Sequence, residues 1–327
     1  MARAEAPSGA GPADDANSEA LLQRLEWTVL RRLDGLLQGD YRTLMRGAGL
    51  DLADLREYQH HDDVRHIDWN VTARLQQPYV RQFTEDRELS AWFLVDLSAS
   101  VDFGSNRYTK RRIAREFVAV LARLLTRHGN RVGALLYGSQ VDTMLPARGG
   151  RTHVLDLLQR MVRRPAETAA GSTDLRELLA TAQRNIKRRS TLFVVSDFIS
   201  APGWETALGR LAMRHEVTAV RLFDPLEMDL PDIGLVSMRD AETGEQLVVD
   251  THNAGFRKRF KAAAERREGE LRQALARAGV DTLELATDDD LVDSILRFAE
   301  LKKQRSRLAN WSGARFGVAP SHVRPAA

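Results

Sequence analysis

The sequence predicts an α/β fold, a doubly wound and mostly parallel sheet with helices on both faces. Two patterns predict it. Apolar runs of strand length alternate with longer segments whose apolar residues recur at helical spacing. The runs are continuously apolar, which is typical of strands buried on both faces, and they lie at residues 92–95, 132–137, 191–196 and 217–223. The chain has 327 residues and is 43% hydrophobic, which is enough to bury such a core.

The N-terminal part of the chain precedes this alternation. Residues 1–18 are rich in Ala, Gly, Pro and acidic side chains, so we expect a disordered N-terminus. Residues 19–38 are predicted to form a helix that Gly39 ends, because apolar residues recur there at helical spacing: Leu22, Leu25, Val29 and Leu33. The chain then stays polar and irregular to residue 87, apart from a short alternating strand at residues 78–83.

The alternating pattern predicts one α/β domain over residues 88–307. A strand at residues 141–145 is expected to form a hairpin with the strand before it, and a last strand is expected at residues 282–285. A hairpin insertion at about residues 232–250 is expected to join the strand at residues 78–83 in a small β subdomain. Residues 308–327 are predicted to be a disordered tail. The predicted helices are residues 107–128, 152–162, 174–187, 204–214, 254–278 and 289–307.

Polar side chains follow the predicted strands at the edge where parallel strands end, and open α/β sheets bind their ligands at that edge. Asp96 follows the first apolar run, with Ser98 and Ser100 two and four residues later. Asp197 follows the third run, and Thr173 precedes the helix before that run. Carboxylate and hydroxyl oxygens suit Mg²⁺, and Mn²⁺ and Ca²⁺ accept the same donors. The sequence therefore predicts a divalent-cation site at this edge.

The same residues have a purely structural interpretation. Asp, Ser and Thr after a strand are also ordinary turn and N-cap residues. On this interpretation Thr173 only caps the helix that begins at Asp174. The coincidence of three such segments at one predicted sheet edge favours the cation site.

Two resemblances arise from these residues. Asp96-x-Ser98-x-Ser100, Thr173 in Gly-Ser-Thr-Asp, and Asp197 after a later strand resemble the metal-ion-dependent adhesion site of von Willebrand factor A-type domains. About residues 46–301 resemble a bacterial branch of that superfamily, the domain of unknown function 58 family. The segments that carry this second resemblance include Asp54-Leu55-Arg56-Glu57-Tyr58, Asp62-Asp63-Val64-Arg65-His66-Ile67-Asp68-Trp69, Phe103-Gly104, Phe223-Asp224-Pro225 and Glu242-Thr243-Gly244-Glu245. The chain departs from the family pattern at His61 and Val101, neither of which is a presumed ligand.

The resemblance implies a von Willebrand A-like fold preceded by an N-terminal helix and a family-specific segment at residues 19–87. It implies hydroxyl ligation of a cation by Ser98, Ser100 and Thr173, with Asp96 and Asp197 acting directly or through water. A Glu or Asp from a partner protein would complete the shell. Members of the family often occur with MoxR-type AAA+ ATPases. The resemblance therefore implies a protein-binding adaptor or co-chaperone in protein assembly or maturation, and not an enzyme.

Composition excludes several classes of protein. The absence of Cys excludes disulfides, Fe–S clusters and thiolate zinc sites. The balance of 48 Lys+Arg against 45 Asp+Glu argues against a chain built to coat nucleic acid or an anionic membrane. Apolar stretches are too short to cross a bilayer, and residues 1–18 lack the basic start and apolar run of a secretory signal. We therefore expect a cytoplasmic location.

Three alternatives stay open at the level of sequence. A Mg²⁺-dependent phosphoryl-transfer enzyme would use Asp96 as nucleophile and Asp197 as metal ligand, although Ser98 stands where related phosphatases place a second Asp. A nucleic-acid-binding protein would use the basic stretches at residues 184–189, 257–267 and 302–307. The His and Asp residues at positions 60–68 suggest a second metal cluster, against the simpler interpretation of a polar loop.

Overall fold

A six-stranded sheet lies at the centre of the protein. The computed structural model describes residues 12–33, 54–59, 64, 67, 69–82, 90–105, 108–164, 173–239 and 246–315. The strands of the sheet, in chain order, are β3 (Ser90–Asp96), β4 (Arg131–Tyr137), β5 (Val141–Arg148), β6 (Thr191–Ser196), β7 (Glu216–Phe223) and β10 (Asp281–Ala286).

The strands lie side by side in the order β10-β7-β6-β3-β4-β5. All neighbouring pairs are parallel except β4 and β5, which form the predicted antiparallel hairpin. The chain builds outward from β3 through β4 and β5, and then returns to β6 on the other side of β3. The strand order therefore reverses between β3 and β6. The doubly wound α/β fold predicted from the sequence is confirmed.

Helices cover both faces of the sheet, so the core has two layers. On β3, Phe93 and Val95 face one layer and Trp92 and Leu94 face the other. This arrangement explains the continuously apolar strand sequence, since both sets of side chains are removed from water. The helices are α1 (Pro12–Leu25), α2 (Trp69–Leu75), α3 (Lys110–Arg127), α4 (Arg151–Arg163), α5 (Leu175–Asn185), α6 (Trp204–Ala212), α7 (Ala254–Ala278) and α8 (Leu291–Arg315). Among the described helices, none carries an apolar stretch of the length that crossing a bilayer requires.

The N-terminal helix begins earlier than the sequence predicted. Helix α1 starts at Pro12, before the predicted start at residue 19 and within the segment that the sequence suggested was disordered. It continues through a π-turn at Glu26–Leu30, and residues 34–38 of the predicted helix lie outside the described part of the chain. Proline suits the first position of a helix. Packing against the core stabilises the later turns, because α1 and its continuation to residue 33 bury four leucines there: Leu22, Leu25, Leu30 and Leu33.

The last helix also extends further than predicted. Helix α8 runs to Arg315, beyond the predicted end at residue 307 and into the segment that the sequence suggested was a disordered tail. Its first half is anchored in the core through Ile295 and Phe298, and no proline interrupts the chain before Pro320.

Two small antiparallel sheets lie apart from the main one. Strand β1 (Asp54–Glu57) pairs with β2 (Tyr79–Gln82), and β8 (Leu235–Arg239) pairs with β9 (Gln246–Asp250). The predicted joint subdomain of the hairpin and the strand at residues 78–83 is therefore wrong, because each strand takes its backbone partner within its own sheet. The sequence did not predict β1, which is mostly polar, or α2, which leaves Trp69 69% exposed.

Candidate metal centre

The predicted site lies where β3 and β6 run side by side. Val95 pairs with Val195 in the parallel register, so the two strands end at the same level. Asp96 is the last residue of β3, and Asp197 immediately follows β6. These two strands border the point where the strand order reverses, and a crevice opens there in doubly wound sheets. The fold therefore brings both carboxylates to the expected ligand-binding edge.

Asp96 is fully buried and held by hydrogen bonds at both oxygens. Its Oδ1 accepts from the backbone N–H of Ser98 at 2.9 Å, and its Oδ2 accepts from the hydroxyl of Ser196 at 2.7 Å. Burial, and then the nearby carboxylate of Asp197, raise the pKa of Asp96 to about 6. A positive charge beside Asp96 would stabilise its ionised form.

The two predicted serine ligands lie on one tight loop. The hydroxyl oxygens of Ser98 and Ser100 are 3.2 Å apart, and both residues are buried. A 3₁₀ turn over Ala99–Asp102 curls the chain so that the hydroxyls approach each other. Arg111 stabilises this loop, because its guanidinium contacts the Asp102 carboxylate and donates to the carbonyl of Leu97 at 2.8 Å.

Thr173 is buried at the same edge of the sheet. Its carbonyl accepts from the hydroxyl of Ser200 at 3.0 Å and from the N–H of Ala201 at 2.9 Å, which ties it to the loop after Asp197. It does not cap the following helix, because Asp174 is the N-cap residue and accepts from the N–H of Arg176. The simple capping interpretation of Thr173 is therefore wrong.

Asp96 and Asp197 do make the local bonds that the structural interpretation expects. Each carboxylate accepts a hydrogen bond from the backbone N–H two residues later, Ser98 for Asp96 and Ile199 for Asp197. Such bonds stabilise tight turns after a strand. They use one lone pair on one oxygen and leave the rest of each carboxylate for other partners.

Sequence reasoning missed Lys110, which lies in the site. Its Nζ donates to Oδ2 of Asp197 at 2.7 Å and to Oε1 of Glu227 at 2.7 Å. The side chain is only 1% exposed, and it begins helix α3. Burial alone would lower the pKa of Lys110, but the attraction of Asp197 and Glu227 outweighs burial and the pKa is raised. The only sequence signal was its rarity, since the chain has six lysines.

The charges at this edge do not balance. Asp96, Asp197 and Glu227 carry three formal negative charges when ionised, against one positive charge on Lys110. A divalent cation would neutralise the cluster, and the donors are hard oxygens, so the residues fit such an ion. Among the residues that the structure describes, no three His, Asp or Glu side chains form a metal-binding group, at this edge or elsewhere. A cation here would therefore depend on the hydroxyls of Ser98, Ser100 and Thr173 as well as on the carboxylates. The His and Asp cluster at positions 60–68 lies largely outside the described residues.

Another buried carboxylate, that of Asp224, holds the segment that follows the Asp-x-Ser-x-Ser loop. Asp224, at the end of β7, accepts from the backbone N–H of Ser105 at 2.9 Å and from its hydroxyl at 2.6 Å. It also accepts from the hydroxyl of Thr287 at 2.6 Å. The segment after the Asp-x-Ser-x-Ser loop is thereby attached to the ends of β7 and β10.

The comparisons with known proteins identify the family. Residues 54–270 match the family model described as protein of unknown function DUF58. The chain belongs to the DUF58 family. It is 37% identical over 296 residues to uncharacterized proteins of Mycobacterium bovis and Mycobacterium tuberculosis, which covers 90% of this chain and 92% of each relative. This DUF58 protein is also 33% identical over 164 residues to an uncharacterized protein of Mycobacterium avium, which covers 50% of this chain and 95% of the relative.

The solved structures that align with this DUF58 protein are less similar to it than these relatives. The conserved hypothetical protein BatB from Bacteroides thetaiotaomicron aligns with a TM-score of 0.42 and 16% identity, over 66% of this chain and 98% of that one. An aerotolerance-related membrane protein from Bacteroides fragilis aligns with a TM-score of 0.42 and 13% identity, over 67% and 99%.

Proposed function

We propose that this DUF58 protein is a divalent-cation-dependent protein-binding module with a von Willebrand A-like site. One observation carries the proposal: Asp96, Ser98, Ser100 and Asp197 meet, buried, at the point where the strand order reverses. Thr173 lies at the same edge, on the segment tied to the loop after Asp197.

The donor set decides the chemistry of the proposed site. Hydroxyl and carboxylate oxygens, with no sulfur, select a hard ion such as Mg²⁺ or Mn²⁺. In this site Ser98, Ser100 and Thr173 would hold the ion through hydroxyls, with Asp96 and Asp197 supplying negative charge. The ion would provide an electrophilic centre for a carboxylate from a partner protein. Two site carboxylates, one already bonded to Lys110, leave the ion enough positive charge to accept a third.

The geometry supports binding better than phosphoryl transfer. A nucleophilic carboxylate must be accessible to its substrate. Both oxygens of Asp96 already accept hydrogen bonds, from Ser98 and Ser196, and the residue is 0% exposed. The burial of Asp96 therefore favours a supporting role, in which it would hold a loop and an ion, over direct attack on a substrate.

The cation site is tested by titrating Mn²⁺ and Mg²⁺ into metal-free protein by isothermal calorimetry. We expect one site per chain, and at least about tenfold weaker binding by Asp96→Ala, because each charge removed beside a divalent ion costs a unit or more of log affinity. Ser100→Ala is a milder variant in case Asp96→Ala unfolds. Asp229→Asn is the matched control, since that carboxylate is exposed and pairs with Lys261, which is not a residue of the site. Equal binding by wild type, Asp96→Ala and Ser100→Ala would refute the site.

The proposed partner is a MoxR-type AAA+ ATPase, with this chain acting as adaptor or co-chaperone in protein assembly or maturation; the sequence resemblance supports this choice. Chelation cannot test it, because the ATPase itself needs Mg²⁺ with ATP. The test is co-elution with the ATPase of the same organism at constant Mg²⁺. We expect a complex with wild type and Asp229→Asn and none with Ser100→Ala. A complex that survives in Ser100→Ala, in protein that has lost cation binding, would overturn the cation-dependent contact and leave the cation site intact.

A further inference from the structure

Lys110 places a permanent positive charge inside the proposed cation site. The ammonium lies 2.7 Å from Oδ2 of Asp197 and 2.7 Å from Oε1 of Glu227, and is 1% exposed. Glu227 is itself fixed, because its other oxygen accepts from the backbone N–H of Asp224 at 3.1 Å. The ammonium is therefore held between two carboxylates on different elements and has no room to leave for solvent.

The contact with Lys110 uses the second oxygen of Asp197, because the first is bonded within its own turn. Oδ1 of Asp197 accepts from the N–H of Ile199 at 3.0 Å, and Oδ2 accepts from Lys110. An ion that binds beside Asp197 meets the field of the ammonium, and like charges in a buried site repel each other strongly. Without any ion, the same ammonium offsets the negative charge of the buried Asp197 and of the partly buried Glu227, and an uncompensated charge on Asp197 would destabilise the fold.

We propose that Lys110 competes with the divalent cation for Asp197, stabilising the site when the cation is absent and weakening the cation when it binds. Lys110 is a positioning residue that sets the affinity of the site and does not touch the ion. The inference rests on the proposed cation site and adds how its affinity is set. A weakened site releases and rebinds its ion, and so can exchange the partner carboxylate that the ion holds.

A second buried lysine offers a matched comparison. Lys302 is 3% exposed on its side chain and pairs with Glu216 and Asp281. These two acids are the first residues of β7 and β10, so Lys302 lies where the parallel strands begin. Lys110 lies at the opposite side of the sheet, where the strands end. Replacing either lysine removes a buried ion pair, but only Lys110 is near the proposed ion. A change in cation affinity that is specific to Lys110 is therefore separable from a general loss of stability.

The test measures Mn²⁺ affinity by calorimetry, and melting temperature in EDTA and in Mn²⁺, for wild type and three variants. We expect Lys110→Met to bind Mn²⁺ at least about tenfold more tightly and to melt lower in EDTA, with Mn²⁺ restoring more stability than in wild type. Glu227→Gln should bind more weakly, by about threefold or more, because it removes a negative charge and leaves Lys110 to Asp197 alone. Lys302→Met should melt lower and bind Mn²⁺ as wild type does.

Each outcome decides a different statement. Equal or weaker Mn²⁺ binding by folded Lys110→Met, with wild type still binding, overturns the competition and leaves the cation site standing. No binding by wild type or by Lys110→Met overturns both proposals. Binding by Lys110→Met alone supports the competition, with the lysine masking the site in wild type. If Lys110→Met does not fold, the Mn²⁺ affinity of Glu227→Gln is the test. Tighter or unchanged Mn²⁺ binding by that variant contradicts the proposal that Lys110 competes with the cation for Asp197.

Discussion

Replacing Asp224 by Asn should destabilise the protein far more than the loss of one surface charge. Asp224 is 0% exposed and each of its oxygens accepts one backbone N–H and one hydroxyl. Oδ1 accepts from Leu226 N–H at 2.9 Å and from the hydroxyl of Ser105 at 2.6 Å. Oδ2 accepts from Ser105 N–H at 2.9 Å and from the hydroxyl of Thr287 at 2.6 Å.

An Asn side chain cannot satisfy this arrangement in either orientation. A hydroxyl can rotate and accept from the new NH₂ group, but a backbone N–H can only donate. Whichever oxygen becomes nitrogen, one backbone N–H of Ser105 or Leu226 is left buried without an acceptor. An unsatisfied buried donor costs about 1–3 kcal/mol, and the remaining bonds lose their charge assistance, so we expect a loss of about 2–4 kcal/mol in the free energy of unfolding.

The pH dependence of stability gives a second readout. Burial alone would raise the pKa of Asp224, but the hydrogen bonds from Ser105, Thr287 and Leu226 outweigh it and the pKa is lowered. The pKa of an Asp in the unfolded chain is about 4. Because the native pKa of Asp224 is lower, its ionised carboxylate stabilises the native state at pH values above about 4, and this stabilisation is lost as the pH falls through the native pKa. Asp224→Asn lacks it, so its deficit relative to wild type should shrink as pH falls below about 4.

Urea unfolding followed by circular dichroism measures both effects. Asp229→Asn is the control, because the same change is made five residues away on a carboxylate that is exposed and paired with Lys261. That variant should stay within about 0.5 kcal/mol of wild type. If Asp224→Asn also stays within about 0.5 kcal/mol, or if its deficit does not change with pH, the reasoning from four buried hydrogen bonds is refuted.

Two further pairs of substitutions test packing and hydrogen bonding, each pair with one change near the site and one comparison. Gly104→Ala should cost about 2–3 kcal/mol in urea unfolding, because its Cβ would lie 2.3 Å from the carbonyl oxygen of Tyr108 and backbone cannot move aside cheaply. Gly269→Ala, in the middle of α7 with open space around the new methyl group, should instead stabilise by about 0.5–1 kcal/mol, and a loss there would contradict the argument. Tyr137→Phe should cost about 1 kcal/mol, since the hydroxyl accepts from the N–H of Asp174 at 2.9 Å; Tyr108→Phe, which keeps the ring stacked on Arg112, should cost less than half as much. Equal losses in the two tyrosine variants would show that the bond to Asp174 contributes nothing.

The strands of the central sheet were accessible to sequence reasoning. Residues 191–196 were predicted as a strand and form β6 with the same bounds, and residues 254–278 were predicted as a helix and form α7 with the same bounds. Both depend on local signals: a run of apolar residues bounded by polar ones, or an N-cap such as Asn253 and a C-terminal glycine such as Gly279. Gly129, which follows the end of α3, gives the same kind of signal and has a φ of 83°.

The elements that were missed lack such signals. Strand β1 is mostly polar and exists as a strand because β2 pairs with it, so no property of residues 54–57 alone predicts it. The hairpin of β8 and β9 was predicted correctly, but its assignment to a shared sheet was wrong, since backbone pairing partners are chosen in three dimensions. Helix α1 was predicted to start too late because its first turns carry few apolar residues and depend on packing of the later ones.

The position of the candidate site could be predicted from local sequence patterns. The position of Asp96 and Asp197 at the ends of buried strands follows from periodicity, which is a local property of the chain, together with the general rule that ligands bind where parallel strands end. The surroundings of those carboxylates depend on the tertiary fold. Lys110 contacts Asp197 and Glu227 across 87 and 117 residues of sequence, and Asp224 reaches Ser105 across 119. Contacts over such separations leave no pattern in the local sequence, because they depend on the order in which the strands assemble into the sheet.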